Sequence, residues 1–174
     1  MAWRSVFSHA MAEHTVYLCI GGNLGERLEN LEETRDFLTF NFGDIVATSS
    51  IYETEAWGMQ DVPAFLNQVV KLKTELTVEQ LLGEIQELEE FYGRDRSGEG
   101  YQSREMDVDM LFYDELVRED EVVVIPHPRM HLRRFVLVPL EEIASSLMHP
   151  ILGKTIAELL KNCEDISKVS SIKA

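Results

Sequence analysis

The chain has 174 residues, is 45% hydrophobic and 27% charged, and carries a formal net charge of −15, a size and balance that suit one soluble-type domain with a substantial core. Such acidity argues against a nucleic-acid partner, which needs a basic footprint, and the longest apolar runs are strand-sized, far short of the roughly 20 residues that cross a bilayer. A small anion is not excluded: seven of the 16 Lys and Arg, namely Arg94, Arg96, Arg104, Arg118, Arg129, Arg133 and Arg134, fall between residues 94 and 134, where they can focus a local positive cleft.

Residues 1 to 12 read as an N-terminal extension and residues 13 to 174 as a single domain, with no repeat, linker or low-complexity tract. Thr15 to Ile20 predicts a first strand, ended by Gly21-Gly22-Asn23-Leu24-Gly25. Asn23 suits a helix cap, and Leu24, Leu28, Leu31 and Leu38 fall near helical spacing. The two glycines let the backbone turn tightly; they lack both the dinucleotide-binding glycine spacing and the phosphate-loop lysine. Cys19, mid-strand, and the distant Cys163 read as reduced thiols of a cytoplasmic protein rather than a bridge.

Ile45 to Tyr52 predicts a second strand, followed by a long polar loop that displays Trp57 as a lid or as core. Phe65 to Leu76 predicts a third, with Phe65, Asn67, Val69, Lys71 and Lys73 on one face and Leu66, Gln68, Val70 and Leu72 on the other. Asn67 is either a satisfied strand amide or a donor–acceptor pair that reads the edge of a heterocycle on which Phe65 stacks. Thr77 to Gln80 is a capping box, and Val78, Leu81, Leu82, Ile85 and Leu88 trace an amphipathic helix to about Tyr92. Gln86 and Glu89, one turn apart, either look toward a ligand or are solvated helix residues.

The segment Met106 to Phe112 alternates, with Met106, Val108, Met110 and Phe112 on one face and Asp107, Asp109 and Leu111 on the other. Carboxylates at i and i+2 of a strand sit roughly 7 Å apart at Cα. They form either a solvated edge face or a seat for a hard divalent ion shared with phosphates. Arg94, Arg96 and Arg104 lie just upstream among Gly93, Gly98 and Gly100, which favours the second reading. Val122 to Ile125 predicts a fifth strand. Pro126 to Phe135 then packs two histidines and three arginines into a segment that is either a solvated face or a shaped binding loop, and helices near Val136 to Ala144 and Thr155 to Cys163 close the chain.

The order strand, helix, strand, strand, helix, strand predicts an α+β, ferredoxin-like βαββαβ layout, with an antiparallel sheet, helices on one face and extra elements after it. Asp107, Asp109, Phe65 and Asn67 would then share the open face.

Seven collinear pieces, Ile20-Gly21-Gly22-Asn23-Leu24-Gly25, Ser49 to Thr54, Phe65-Leu66-Asn67, Gly93-Arg94-Asp95-Arg96, Arg104 to Leu111, Pro126 to Met130 and Arg133-Arg134-Phe135, together resemble the 6-hydroxymethyl-7,8-dihydropterin pyrophosphokinase family of folate biosynthesis. The resemblance implies an ATP-dependent diphosphotransferase acting on a pterin alcohol, with ATP as co-substrate, small-molecule partners only and a monomer as the working expectation. It implies that Asp107 and Asp109 bind two Mg2+ ions, that Arg94 and Arg104 act with them in catalysis, and that Gln86, Arg94, Arg96, Arg104, His127 and Arg133 contact ATP. Phe65 and Phe135 would sandwich the pterin, Thr54 and Asn67 would bond its edge, and Trp57 would sit on a lid. The chain departs from the family pattern at Gly21-Gly22, Gly100, Tyr101 and Gln102. Two other readings of the acid pair are a metal-dependent nucleotidyltransferase and a ligand-binding module without turnover.

Overall fold

The computed structural model describes residues 12–55, 62–93 and 105–172. Trp57, Tyr101, the upstream arginines Arg94, Arg96 and Arg104, and residues 1 to 11 of the expected extension lie outside the described residues. The elements run β1 (His14–Gly22), α1 (Arg27–Asn41), β2 (Asp44–Thr48), β3 (Ile51–Thr54), β4 (Phe65–Thr74), α2 (Val78–Phe91), β5 (Asp107–Tyr113), β6 (Arg118–Glu119), β7 (Val124–Ile125), a 3-10 turn (Met130–Leu132), α3 (Arg134–Ala144), α4 (Ile156–Lys161) and β8 (Val169–Ile172). Six strands make one sheet in the order β5-β1-β4-β3-β8, with β2 also paired to β4, and every described pairing in it is antiparallel.

Period-two alternation decides which side chains go where. Val16, Leu18 and Ile20 of β1 and Leu66, Val70 and Leu72 of β4 turn to one face, where Leu31 and Leu38 of α1 and Val78, Leu81, Ile85 and Leu88 of α2 cover them. Removing each such leucine from water contributes about 1.5–3 kcal/mol. The capping box that begins α2 forms as expected, the Thr77 hydroxyl accepting from the Gln80 N–H and the Gln80 side chain accepting from the Thr77 N–H.

The opposite face is only partly open, which corrects the expectation of a bare sheet. Tyr17, Cys19 and Val69 support a second core with Leu137 and Leu140 of α3 and Ile156 and Leu159 of α4. Helices therefore lie on both faces, and what the described residues leave uncovered is one end of the second face.

The strict alternation expected along β5 also fails at its end. Leu18 pairs with Met110 but Tyr17 pairs with Phe112, so Leu111 is an extra residue, a β-bulge. Beyond it Phe112 joins Leu111 in the second core while Tyr113 turns to the first. Asp107 and Asp109 precede the bulge and keep the face assigned to them.

Other boundaries shift for local reasons. The predicted second strand breaks in two at Ser49-Ser50, because β2 and β3 both pair along β4. Gln68 holds the break from below, its side-chain amide donating to the Ser49 carbonyl at 2.7 Å. Val122 to Ile125 does not join the main sheet; Val124 and Ile125 pair with Arg118 and Glu119 in a separate ribbon. Strand β8, which no pattern announced, pairs with β3 at the edge of the sheet. Helix α1 begins at Arg27, after a Glu26 cap position that makes no side-chain bond. Asn23, expected as the cap, is instead fully buried and donates to the Pro63 carbonyl at 3.2 Å.

Candidate active site

At the uncovered end of the second face lies a cleft of about 1280 Å³. Its lining includes Thr54 from β3, Phe65 and Asn67 from β4, Asp107 and Asp109 from β5, His127 and Arg133 from the segment between β7 and α3, and Phe135 from the first turn of α3. This volume exceeds the 300–1,000 Å³ usual for a single ligand pocket. Of the residues expected to form the site, all eight of these come together among the described residues. Gln86 does not reach that cleft. It lines a second one of about 380 Å³, which shares Asp109 and His127 with the first.

The register explains the floor. Gly21 pairs with Asn67 on one side and Asp107 on the other, and Cys19 pairs with Asp109. A methyl group on Gly21 would stand 2.3 Å from Asn67 Oδ1 and 2.5 Å from the Leu66 carbonyl oxygen. The glycine is therefore needed inside β1, not in the turn after it, because only a residue without Cβ lets the Asn67 amide lie across the strand. Cys19 is buried in this floor, and burial followed by the nearby Asp109 carboxylate pushes its thiol well above the usual range. It is an inert packing residue there.

Between the two acids, the Val108 N–H donates to Glu89 Oε1 at 3.1 Å, and Glu89 is only 2% exposed. Thus Glu89, read from sequence as facing a ligand or solvent, also serves as an acceptor that pins β5 between Asp107 and Asp109. Asp109 is partly exposed and lies 3.5 Å from an Arg133 guanidinium nitrogen; the Arg133 guanidinium in turn sits 5.7 Å from the centroid of the Phe135 ring. One arginine spans the acid pair and the aromatic wall. On the other side, the Thr54 hydroxyl is buried and finds no hydrogen-bond partner among the described residues. A buried hydroxyl without a partner is rare, and this one lines the cleft.

The far wall was not legible from spacing. Asn162 to Ser167, after α4, and Arg129, His131 and Lys154 also line the cleft. Asn162 to Ser167 come from the end of the chain, and no periodicity in them points back to a site built on β4 and β5, whereas Arg129 and His131 belong to the histidine- and arginine-rich segment 126–135 read from sequence as a solvated face or a binding loop.

Residues 17–145, well over half the chain, match the family described as 7,8-dihydro-6-hydroxymethylpterin-pyrophosphokinase, HPPK. The chain belongs to this family. It is 38% identical over 152 residues to the 2-amino-4-hydroxy-6-hydroxymethyldihydropteridine pyrophosphokinase of Haemophilus influenzae, covering 87% of this chain and 94% of that one. The Aquifex aeolicus protein of the same name is 36% identical over 148 residues, covering 83% and 89%. A Pneumocystis carinii folic acid synthesis protein is 34% identical over 157 residues, but these make 90% of this chain and only 21% of that protein. Among solved structures, a Plasmodium falciparum HPPK-DHPS chain superposes with a TM-score of 0.69 at 16% identity, over 88% of this chain and 46% of that one, a likeness of fold. The chain thus spans a small part of some relatives and nearly the whole of others.

In this HPPK family member the His127 ring is held neutral. Its Nδ1 accepts from the Arg129 N–H at 3.1 Å, which leaves the proton on Nε2, 3.9 Å from Asp109 Oδ2. Burial first, then the charges of Arg133 and Arg129, push its pKa down to about 4. An unfolded chain takes up this proton below about pH 6.5, the folded one only near pH 4. Stability contributed by the neutral ring is therefore present above pH 6.5 and lost as pH falls toward 4. Urea unfolding in EDTA is expected to show a lower midpoint at pH 5 than at pH 7, with a smaller fall in His127→Gln; equal falls in both proteins contradict this account.

No described helix is long and apolar enough to cross a membrane, and both cysteines are free thiols.

Proposed function

We propose that this chain transfers the diphosphate of ATP to the hydroxymethyl oxygen of 6-hydroxymethyl-7,8-dihydropterin, releasing AMP, as a step of folate biosynthesis in the cytoplasm. The observation that carries the reading is the meeting of two strand carboxylates, the Arg133 cation and an orphaned Thr54 hydroxyl beside Asn67 and two phenylalanines in one cleft. The same proposal takes β1, α1, the broken strand β2–β3, β4, α2 and β5 as a ferredoxin-like βαββαβ unit. The sheet order β5-β1-β4-β3 supports it.

The donor set fits Mg2+. Among the described residues no group of three or more His, Cys, Asp or Glu is placed to hold a metal, as transition-metal cages require, whereas magnesium takes one or two carboxylates and completes its shell with water and phosphate oxygens. Asp107 and Asp109 would be those carboxylates, and two ions is the number proposed. When bound, Mg2+ supplies neutralisation of the phosphate charge.

The remaining work falls to the chain. Phe65 and Phe135 clasp the flat pterin, and Thr54 and Asn67 bond its polar edge, which aims the hydroxymethyl oxygen at the β-phosphorus. Arg133 and neutral His127, which donates through Nε2, hold phosphate oxygens beside the acids. Gln86 faces the nucleotide from the smaller cleft. Outside the described residues, Arg94 and Arg104 follow the charge that grows on the leaving AMP oxygen, Arg96 contacts ATP, and Trp57 covers the pterin. The alcohol has no strongly basic neighbour assigned to it, so catalysis is positioning and charge.

Incubation with Mg-ATP and the pterin alcohol is expected to give AMP and the pterin diphosphate in equal amounts. Pyrophosphate with a nucleotide adduct instead identifies a nucleotidyltransferase, and saturable binding without any turnover identifies a binding module; either result overturns the proposal.

A further inference from the structure

We infer that Asp165, from the segment after α4, is a positioning residue for the pterin and phosphate ends of the site. It lies beyond the residues that match the family, 17–145, and the inference rests on the reading of Arg133 and Phe135 given above.

Helix α3 begins immediately at those two residues. Its cap position is Arg133 itself, which makes no side-chain cap bond. The first N–H donors of a helix need acceptors, and here the Arg134 N–H donates to Asp165 Oδ2 at 2.9 Å, from 31 positions away. The other oxygen, Oδ1, accepts from the Ser167 N–H at 2.9 Å and from the Ser167 hydroxyl, so the carboxylate is held from both sides. Burial raises its pKa, but the bonds from Ser167 and Arg134 outweigh burial and keep the carboxyl below its ordinary range, ionised where it caps the helix. Asp165 and Ser167 also line the cleft, and a few residues on, β8 pairs with β3, the strand that carries Thr54.

The consequence is specific. Arg133 and Phe135 flank the one backbone N–H that Asp165 fixes, so an uncapped first turn frays at both residues together. A protein that spends only a fraction of its time with this turn formed binds more weakly in inverse proportion to that fraction, while the bound complex reacts at the ordinary rate. Loss of a cap then raises KM for the pterin and for ATP by about five- to tenfold with little change in kcat.

The test is steady-state kinetics on the full chain. Asp165→Ala is expected to show both KM increases with kcat within about twofold of wild type. Asp165→Asn, whose amide oxygen still accepts from the Arg134 N–H, is expected to restore both KM values to within about twofold. A merely structural role lowers the active fraction and the melting temperature but leaves both KM values where they were, so unchanged KM values in folded Asp165→Ala overturn the inference, as does an Asn variant as impaired as the Ala variant. Should Asp165→Ala fail to fold, Ser167→Ala, which loosens the carboxylate without removing it, carries the test: a KM rise of about twofold is expected, and none overturns it. Phe135→Ala run in parallel separates the two levels. If it raises the pterin KM and Asp165→Ala does not, only this inference fails; if Phe135→Ala itself has no effect, the site reading beneath it fails as well.

Discussion

Asp107→Ala and Asp109→Ala are each expected to lower the rate of diphosphate transfer by on the order of a thousandfold or more and to leave the protein folded. The acids are side chains on the cleft face of β5, and the strand is held by other groups: Gly21 and Cys19 of β1 pair with it, and Glu89 accepts the Val108 N–H between the two acids. Two carboxylates roughly 7 Å apart repel by about 2 kcal/mol at a surface dielectric constant. Deleting either acid relieves that repulsion but also removes the contacts that acid makes, so both variants are expected to melt within a few degrees of wild type in EDTA. For Asp109 one such contact is Arg133 at 3.5 Å. Turnover at saturating Mg2+ together with thermal melts in EDTA checks both statements. Near-normal turnover in both variants ends the reading of the acids as metal ligands.

The second large effect falls on a residue with no polar side chain. Gly21→Ala places a methyl group 2.3 Å from Asn67 Oδ1 and 2.5 Å from the Leu66 carbonyl, distances no real Cβ keeps. The amide can swing aside; the carbonyl belongs to the β1–β4 ladder and cannot move without breaking pairs in the centre of the sheet. Overpacking of this kind costs about 1–3 kcal/mol, read as a fall in the urea midpoint. On the proposed site, displacing the amide removes one of the groups that would read the pterin edge, so the pterin KM is expected to rise by about tenfold or more. ATP binding, which does not use Asn67, changes little. A variant with wild-type stability and pterin KM contradicts the placement of Asn67 over the glycine.

Much of this site is written locally. The alternation of β4 assigns Phe65 and Asn67 to one face and Leu66, Gln68, Val70 and Leu72 to the other, and the packing obeys it. The Asp-x-Asp pair keeps its face because it lies before the bulge in β5. Phe112 does not, because one extra residue at Leu111 reverses every side chain beyond it. A bulge is set by what the neighbouring strand and the covering helices demand, and nothing in Met-Leu-Phe-Tyr announces it. Asn23 shows the same limit from the other side. Its sequence context fits a helix cap, but a buried amide goes to whichever acceptor burial brings near, here a carbonyl 40 positions away.

Taken alone, the amino-acid sequence determined the period-two and helical patterns, the capping box at Thr77, the acid pair, the collinear set of motifs and hence the family. Those are properties of neighbours along the chain, where spacing translates directly into geometry. Tertiary structure alone decided that the second sheet face is half covered by α3 and α4, that Gly21 makes room for Asn67, and that the last thirty or so residues return to wall the cleft and cap α3 through Asp165. Each of these depends on contacts between segments far apart in sequence, and such contacts are selected by the packing of the whole core, not by the residues on either side.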